Sequence, residues 1–301
     1  MEKIIKWKDF KFIVRDFELS HANGGRLCKL WVEDLNTGRI FLVKSSSKFS
    51  YEPFSEKMAY IIGRDIGVDV LEYDIIPAEL FKDVMFIDKG CKYVSICEKI
   101  DRKGFSISSI AEIKRAKNVV LADQNKKVKN KEVMYELLPK SYIDTMLIFD
   151  AIIGNEDRHY GNVHVLRSKK GEIVGAPILD NGASLLALRP IWELILFNKH
   201  VGHYCNKAYT IGATHDEQLK NVEAVNNISF NITTKTMQIL RDIQPTLDLM
   251  PKFRAKCIKR FIVYRLHKYL GMMKYGNSEE YINKAKGFNR LLRENEKSRR
   301  R

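Results

Sequence analysis

Ile153-Gly154-Asn155-Glu156-Asp157-Arg158-His159-Tyr160-Gly161-Asn162, followed by Ile178-Leu179-Asp180-Asn181-Gly182, is the stretch that decides the fold. It leaves a strongly apolar run, TMLIFDAII, which reads as a helix opened by a capping-box-like SYID at Ser141. It then enters a hairpin of two short strands, NVHVL and EIVGAPILD, around the turn Ser168-Lys169-Lys170-Gly171. Asp157, Asn162 and Asp180 can therefore meet at one end of a small sheet. That trio suits phosphoryl transfer: one carboxylate orients a hydroxyl, while an amide oxygen and a second carboxylate hold magnesium on nucleotide phosphates. The Asp-x4-Asn spacing equals that of the protein-kinase catalytic loop, but it is common by chance and gains meaning only from what surrounds it.

Working toward the N-terminus, residues 8–20 read as a strand, and His21-Ala22-Asn23-Gly24-Gly25 as a loop. LCKLWVEDL and RIFLVK follow as strands around the turn Asn36-Thr37-Gly38, ending at Lys44. A helix is expected from about Pro53 to Asp65, with Met58, Ile61, Ile62 and Ile66 on one face, Ser55 as N-cap and Gly67 as stop. VLEYDII, VMFI and YVSICEKI read as short β runs, and Asp101-Arg102-Lys103-Gly104 as a connection between lobes. Beyond it the chain turns helical. Residues 114–132 read as a basic, exposed loop or helix face, and Ile258, Phe261, Ile262, Tyr269, Leu270 and Met273 mark a long final helix. The expected fold is α+β and kinase-like, with a small β-rich N-lobe over 1–103 and a larger, mainly helical C-lobe over 104–301.

The order Gly-rich turn, strand Lys, helix Glu, apolar helix, Asp-x4-Asn, hairpin and Asp-x-Gly is the order a kinase requires. In these features the chain resembles the HipA-like serine/threonine kinases, and among them the compact bacterial pro-inflammatory, cell-translocating branch. The resemblance spans roughly residues 18–190. SHANGGRLCKL is similar to the family's Ser-x-x-Gly nucleotide loop followed by a Lys, FLVK to its nucleotide-binding strand, and Glu98-Lys99-Ile100-Asp101-Arg102 to its hinge.

The resemblance implies ATP and magnesium as cofactors. Asn23, Gly24, Gly25, Lys44, Glu98, Ile100, His159, Asn162 and Asp180 would then line the nucleotide site. Asn162 and Asp180 would hold the metal, Asp157 would act as base, and Lys44 would be fixed by Glu56. It also implies a protein Ser or Thr as substrate, the chain itself included, with Ser20 as the self-modified regulatory residue. Departures are a nucleotide loop about two residues longer than the family's and Ile100 in place of an aromatic. HRD and APE motifs are absent, and no large subdomain precedes Ser20, so a paired DNA-binding antitoxin is not expected.

The residues leave alternatives. Glu52 competes with Glu56, and Lys44 could be a plain strand-end lysine. Gly24-Gly25 could be an ordinary turn, and Ser20 could merely cap it. His159 reads best as a strut of its loop, while Arg158 could contact phosphate or pair with an acid. Asp-Arg-His-x-x-Asn with Ile-Leu-Asp-Asn-Gly also resembles phosphoinositide-kinase motifs. A lipid or small-molecule kinase is therefore one rival, and an inactive kinase fold serving as a nucleic-acid or partner-binding module is the other.

Composition narrows the setting. The 301 residues are 45% hydrophobic and 30% charged, a globular composition. No apolar run approaches the length of a membrane span, and MEKIIKWKDFKF is too charged for a signal-peptide core. Cys28, Cys91, Cys97, Cys205 and Cys257 are scattered without a CxxC pair, which argues against disulfide and zinc frameworks and suits a reducing compartment. A soluble, cytoplasmic-type protein is expected, with export to a host cell left open. Net charge is +15, and Pro251–Arg301 holds 16 basic against 4 acidic residues. That tail either attracts an anionic partner or is a solvated helical end.

Overall fold

The computed structural model describes residues 4–15, 28–46, 50–120, 129–196, 198–220, 222 and 231–275. Ser20, Asn23, Gly24 and Gly25 of the Gly-rich loop, and residues 276–301 of the basic end, lie outside them.

The first half builds one antiparallel sheet. Its strands are β1 (Ile5–Trp7), β2 (Phe10–Val14), β3 (Lys29–Asp34), β4 (Ile40–Lys44), β5 (Tyr73–Pro77) and β6 (Tyr93–Glu98), in the order β1-β2-β3-β4-β6-β5. The first strand signal thus divides into two short strands. Asp34 closes the β3–β4 turn by accepting from Thr37 Oγ1 at 2.6 Å and, through its carbonyl, from Gly38 N–H at 2.7 Å. The twist of the strands curls the sheet, and an exposed ion pair of Lys8 with Asp74 at 3.0 Å links its two edges. Period-two alternation then sorts the side chains. Phe12, Val32, Phe41, Val43, Ile76, Val94 and Ile96 fill the inside of the curl with Phe81 and Met85. VMFI is not a strand: Val84 and Met85 sit in a turn bonded back to Phe81, and Met85 plugs the sheet while Phe86 points out.

Helix α1 (Glu52–Ile66) covers the other face of the sheet. Its start differs from the expected one. Tyr51 precedes it with no side-chain cap, Pro53 stands in the first turn, and Ser55 is buried one turn in, donating to Asn181 O at 2.9 Å. Gly67 ends it at φ 78°, in the left-handed region where glycine carries no Cβ penalty. Met58, Ile61 and Ile62 are buried in the larger of two hydrophobic clusters, which joins α1 to the helices that follow.

Those helices are α2 (Ile110–Val120), α3 (Asn130–Leu137), α4 (Lys140–Ile153), α5 (Ile191–Leu196), α6 (His215–Leu219), α7 (Ile232–Asp242), α8 (Gln244–Asp248) and α9 (Lys252–Tyr275). A small antiparallel sheet, β7 (Phe105–Ser109), β8 (His164–Ser168) and β9 (Ile173–Gly175), lies among them in the order β7-β8-β9. Helix α4 is buried from Met146 to Ile153 and is the centre of this core. Pro139, not Ser141, precedes its first turn, and the Ser141 carbonyl accepts from Thr145 Oγ1 at 2.8 Å. Gly154 ends α4 at φ 61°, and a Cβ there would lie 2.5 Å from Phe261 Cζ, so conformation and space both demand glycine. Ile258, Phe261, Ile262, Tyr269 and Leu270 are the buried stripe of α9.

The second hairpin strand is shorter than expected. After Gly175 the chain leaves β8, and Ile178 forms a parallel bridge with Val70, just past α1. Ile178 N–H donates to Asp69 O at 2.8 Å, and Leu71 N–H donates to Ile178 O at 2.9 Å. This crossover pins the Asp180 loop to the chain leaving α1. Among the described residues, no helix is long and apolar enough to cross a membrane.

Candidate active site

Strand pairing sets the roof of the site. Lys44, on β4, faces Ser95 on β6, and Tyr73 on β5 faces Cys97 on β6, so period two puts all four on the α1 side of the sheet. The buried ammonium of Lys44 donates to Glu56 Oε1 at 3.2 Å and Tyr73 OH at 2.9 Å, and forms a close ion pair with Asp180 Oδ1. Glu56 Oε2 accepts from Asn181 N–H at 2.9 Å. One carboxylate of α1 therefore holds both the roof lysine and the Asp180 loop. Glu52 takes no part in this pairing. It accepts from Ser50 Oγ at 2.5 Å and lines the cleft rim.

Charge follows burial and pairing. Burial opposes ionisation of Asp180, yet Lys44 overrides it and holds the carboxyl far below the usual range. Burial likewise opposes charge on Lys44, but Asp180 and then Glu56 keep it protonated well above its ordinary value. Glu56 has its pKa raised because desolvation outweighs the attraction of Lys44. Desolvation also pushes the Cys97 thiol up to about 11, so it stays a neutral packing group behind the lysine.

The floor is the loop between α4 and β8. Asn162 Nδ2 donates to Asp157 O at 2.9 Å, and Asn162 N–H to His159 O at 2.8 Å. The amide nitrogen of Asn162 is thus engaged within the loop. Asp157 is half-exposed on the cleft, and its pKa is raised, first by burial and then by Asp180, with His159 opposing. His159 is an exposed strut: Nδ1 accepts from Gly161 N–H at 3.0 Å, and Nε2 stands 3.9 Å from Asp157 Oδ1.

Arg158 points away from the cleft. It is buried, its Nε donating to Asp150 Oδ2 at 3.0 Å, its Nη1 to Asn162 O at 2.9 Å and its Nη2 to Asn181 Oδ1 at 2.6 Å. Asn155 supports the same corner, donating to Asp150 Oδ1 at 3.2 Å and accepting from Asp157 N–H at 3.0 Å. This bracket fixes the Asp157 loop against the Asp180 loop. Asp180 itself sits at φ 57°, in the left-handed region that Asp tolerates better than most residues. Ser55 and Ser184 both donate to Asn181 O, completing the attachment to α1.

Between roof and floor lies a cleft of about 640 Å³, within the size range of small-molecule sites. Lys29, Lys44, Glu56, Asp157, His159, Asn162, His164 and Asp180 are among its lining residues. The cleft does not take in every residue named from the sequence. Glu98 is exposed and accepts from Arg39 Nη1 at 3.1 Å, and neither Glu98 nor Ile100 lines the cleft among the described residues. The backbone N–H of Lys99 is spent on Ile40 O at 2.8 Å.

Lys29, the lysine that follows the Gly-rich loop, lies directly opposite Lys44 in register, a like-charge pair that is unfavourable unless an anion or acid lies between. Other residues of the site went unread in the sequence. Asp150 carried a signal: an acid inside an apolar helix requires a buried partner. Tyr73, His164 and Asn181 carried none, because their roles depend on chain crossings.

Fold and cleft together define a two-lobed, kinase-like architecture. No family model and no curated protein sequence matches the chain. Among solved structures it is similar to the Helicobacter pylori proinflammatory kinase CtkA, with a TM-score of 0.58 and 16% identity over 90% of this chain and 95% of that one. It also matches the complex of HipA, HipB and operator DNA from a Shewanella oneidensis MR-1 toxin–antitoxin system, with a TM-score of 0.44, 14% identity, and coverage of 90% and 70%. The fold is similar to that of the CtkA kinase, and it is the α+β, kinase-like fold expected from the motifs.

Proposed function

We propose that this chain is an ATP-dependent serine/threonine protein kinase that passes the γ-phosphate of Mg-ATP to a protein hydroxyl, its own included, with its lobes divided near residues 101–104. The observation that carries this reading is the buried network joining Lys44, Glu56 and Asp180 across two chain segments, with Asp157 and Asn162 on the opposite wall.

The residues fit the cofactors. Asn162 has its nitrogen engaged by Asp157 O, so its oxygen is the donor that remains for a cation. Lys44 holds the Asp180 carboxyl well below the usual range and favours its ionised form. Two hard oxygen donors suit magnesium, which keeps waters and phosphate oxygens in its remaining positions. Bound there, the metal supplies charge neutralisation of the phosphates. Lys44, held by Glu56, orients the phosphates from the roof. Asp157 accepts the hydroxyl proton of the acceptor, its carboxyl lifted toward a useful range by burial.

The test offers labelled ATP to the protein with a Ser/Thr peptide mixture and, separately, with phosphoinositide liposomes. Label is expected on protein or peptide, with Asp157→Asn slower by roughly a hundredfold or more. Label on lipid alone would favour the lipid-kinase reading. Steeply salt-dependent DNA binding without turnover would favour the binding module.

A further inference from the structure

Helix α5 begins three residues beyond Leu188, which lines the cleft, and it turns one apolar face to solvent. Ile191, Trp192, Ile195 and Leu196 share that face at helical spacing, with Trp192 60% and Leu196 69% exposed. Leu194, on the opposite side, is 1% exposed and anchors the helix. Five of the thirteen large exposed hydrophobic residues among those described fall between Leu188 and Leu196. Single exposed apolar residues need no explanation, but a cluster of this kind does.

The segment is tied to the catalytic wall. Arg189 forms an ion pair with Glu156, the neighbour of Asp157, and a second with Glu193 of α5 at 3.3 Å. Buried Arg254 donates to the carbonyls of Leu186 and Arg189 from α9. The apolar face is therefore held at a set position relative to Asp157, and the charges between them are already paired.

We infer that this face is the docking surface for the acceptor polypeptide, selecting an extended segment with large apolar side chains near the hydroxyl residue. The inference rests on the kinase reading of the cleft. Continuity with the cleft supports the acceptor as occupant: Leu188 belongs to this exposed apolar cluster and also lines the cleft beside Asp157. Spacing sets the distance. The face starts within about 10 Å of the cleft edge and runs about 9 Å along the helix. An extended chain covers that span in about three to six residues. The apolar anchors of the acceptor are thus expected about three to six positions from its Ser or Thr.

The test uses the full chain, Mg-ATP and matched Ser peptides carrying either Leu and Trp or Lys and Asp at those positions. The apolar peptide is expected to have about tenfold higher kcat/KM, as for contacts to a single aromatic anchor. Trp192→Ala and Leu196→Asp should remove that preference by raising peptide KM about tenfold, with kcat and the KM for ATP unchanged. Both sites are exposed, and unchanged melting would show that the fold is kept. Equal use of the two peptides, or an unaltered preference in both variants, would overturn the inference. So would a wild-type protein that self-associates through this face, with the variants monomeric. Anisotropy of labelled peptides, read without ATP, separates the two claims. Selective binding of the apolar peptide by a protein that transfers no phosphate would sink the kinase reading and keep the docking face. Binding of neither peptide would sink the docking face whatever the turnover.

Discussion

Lys44 above the cleft and Arg158 beneath it are both buried cations, and acids hold them in opposite ways. Lys44 meets Glu56 and Asp180 at the edge of a solvent-filled cleft, and the side chain of Asp180 keeps 26% of its surface exposed. Arg158 meets Asp150 in a sealed corner, with both side chains at 2% exposure or less. The arginine satisfies the rest of its fork on Asn162 O, Leu179 O and Asn181 Oδ1, groups of the two loops that carry Asp157 and Asp180. The lysine can exchange a carboxylate for phosphate without exposing a buried charge. The arginine cannot exchange anything. Buried ionic pairs built alike can thus divide the labour, one handling ligand and one holding geometry.

Arg158→Ala should have the largest effect. It removes the charge partner of buried Asp150 and the bonds that bracket the two loops, which costs about 3–5 kcal/mol of stability. Denaturant unfolding checks this, and a loss under about 1 kcal/mol would break the contrast. Lys44→Met should act on rate instead. Phosphate transfer should fall at least about a hundredfold, as when a preorganised charge is removed from developing phosphate charge. The stability loss should be smaller than for Arg158→Ala, because Asp180 reaches solvent in the cleft whereas Asp150 does not.

The helical core gives a third effect, spread over pH and smaller at any one step of it. Burial lowers the pKa of His215 to about 3, with Arg265 adding to it. The unfolded chain binds that proton near pH 6.5 and the folded chain only near pH 3, so the folded state loses stability as pH falls through this window. His215→Gln should flatten the acid limb there by up to about 1.4 kcal/mol per pH unit. His203 and His267, also held below their ordinary values, keep part of the slope. The smallest effect is expected for His159→Ala, with a rate loss under about tenfold for an exposed strut. Its pH–rate profile should show the Asp157 limb displaced upward, since the histidine opposes the rise of that carboxyl.

What the sequence disclosed follows the same division. That Lys44, Glu56, Asp157, Asn162 and Asp180 meet in one cleft was legible, because each falls at or near an element end whose place in the chain order could be read. The cap positions misled. Ser55 and Ser141 have the right chemistry for helix starts, but the prolines at 53 and 139 set the boundaries. Ser55 is then free to bind Asn181 O from inside the helix. The Arg158 bracket was half legible: an arginine in need of an acid could be read, but not that the acid was Asp150, eight residues back in an apolar run. Asn181 could not be read at all, since its contacts depend on the crossover of Ile178 to Val70. The sequence likewise cannot show that VMFI turns inward on Phe81, because an apolar run of four serves a plug as well as a strand.

Intact-mass spectrometry of the wild type and Asp180→Ala, each incubated with ATP with and without magnesium, tests the central claim most directly. The wild type should gain whole phosphate increments only with magnesium. Asp180→Ala should gain none while keeping its circular dichroism spectrum and cooperative melting. A wild type that stays unmodified and leaves every Ser/Thr peptide unmodified, or an Asp180→Ala protein phosphorylated at the wild-type rate, would contradict the assignment of this cleft to phosphoryl transfer.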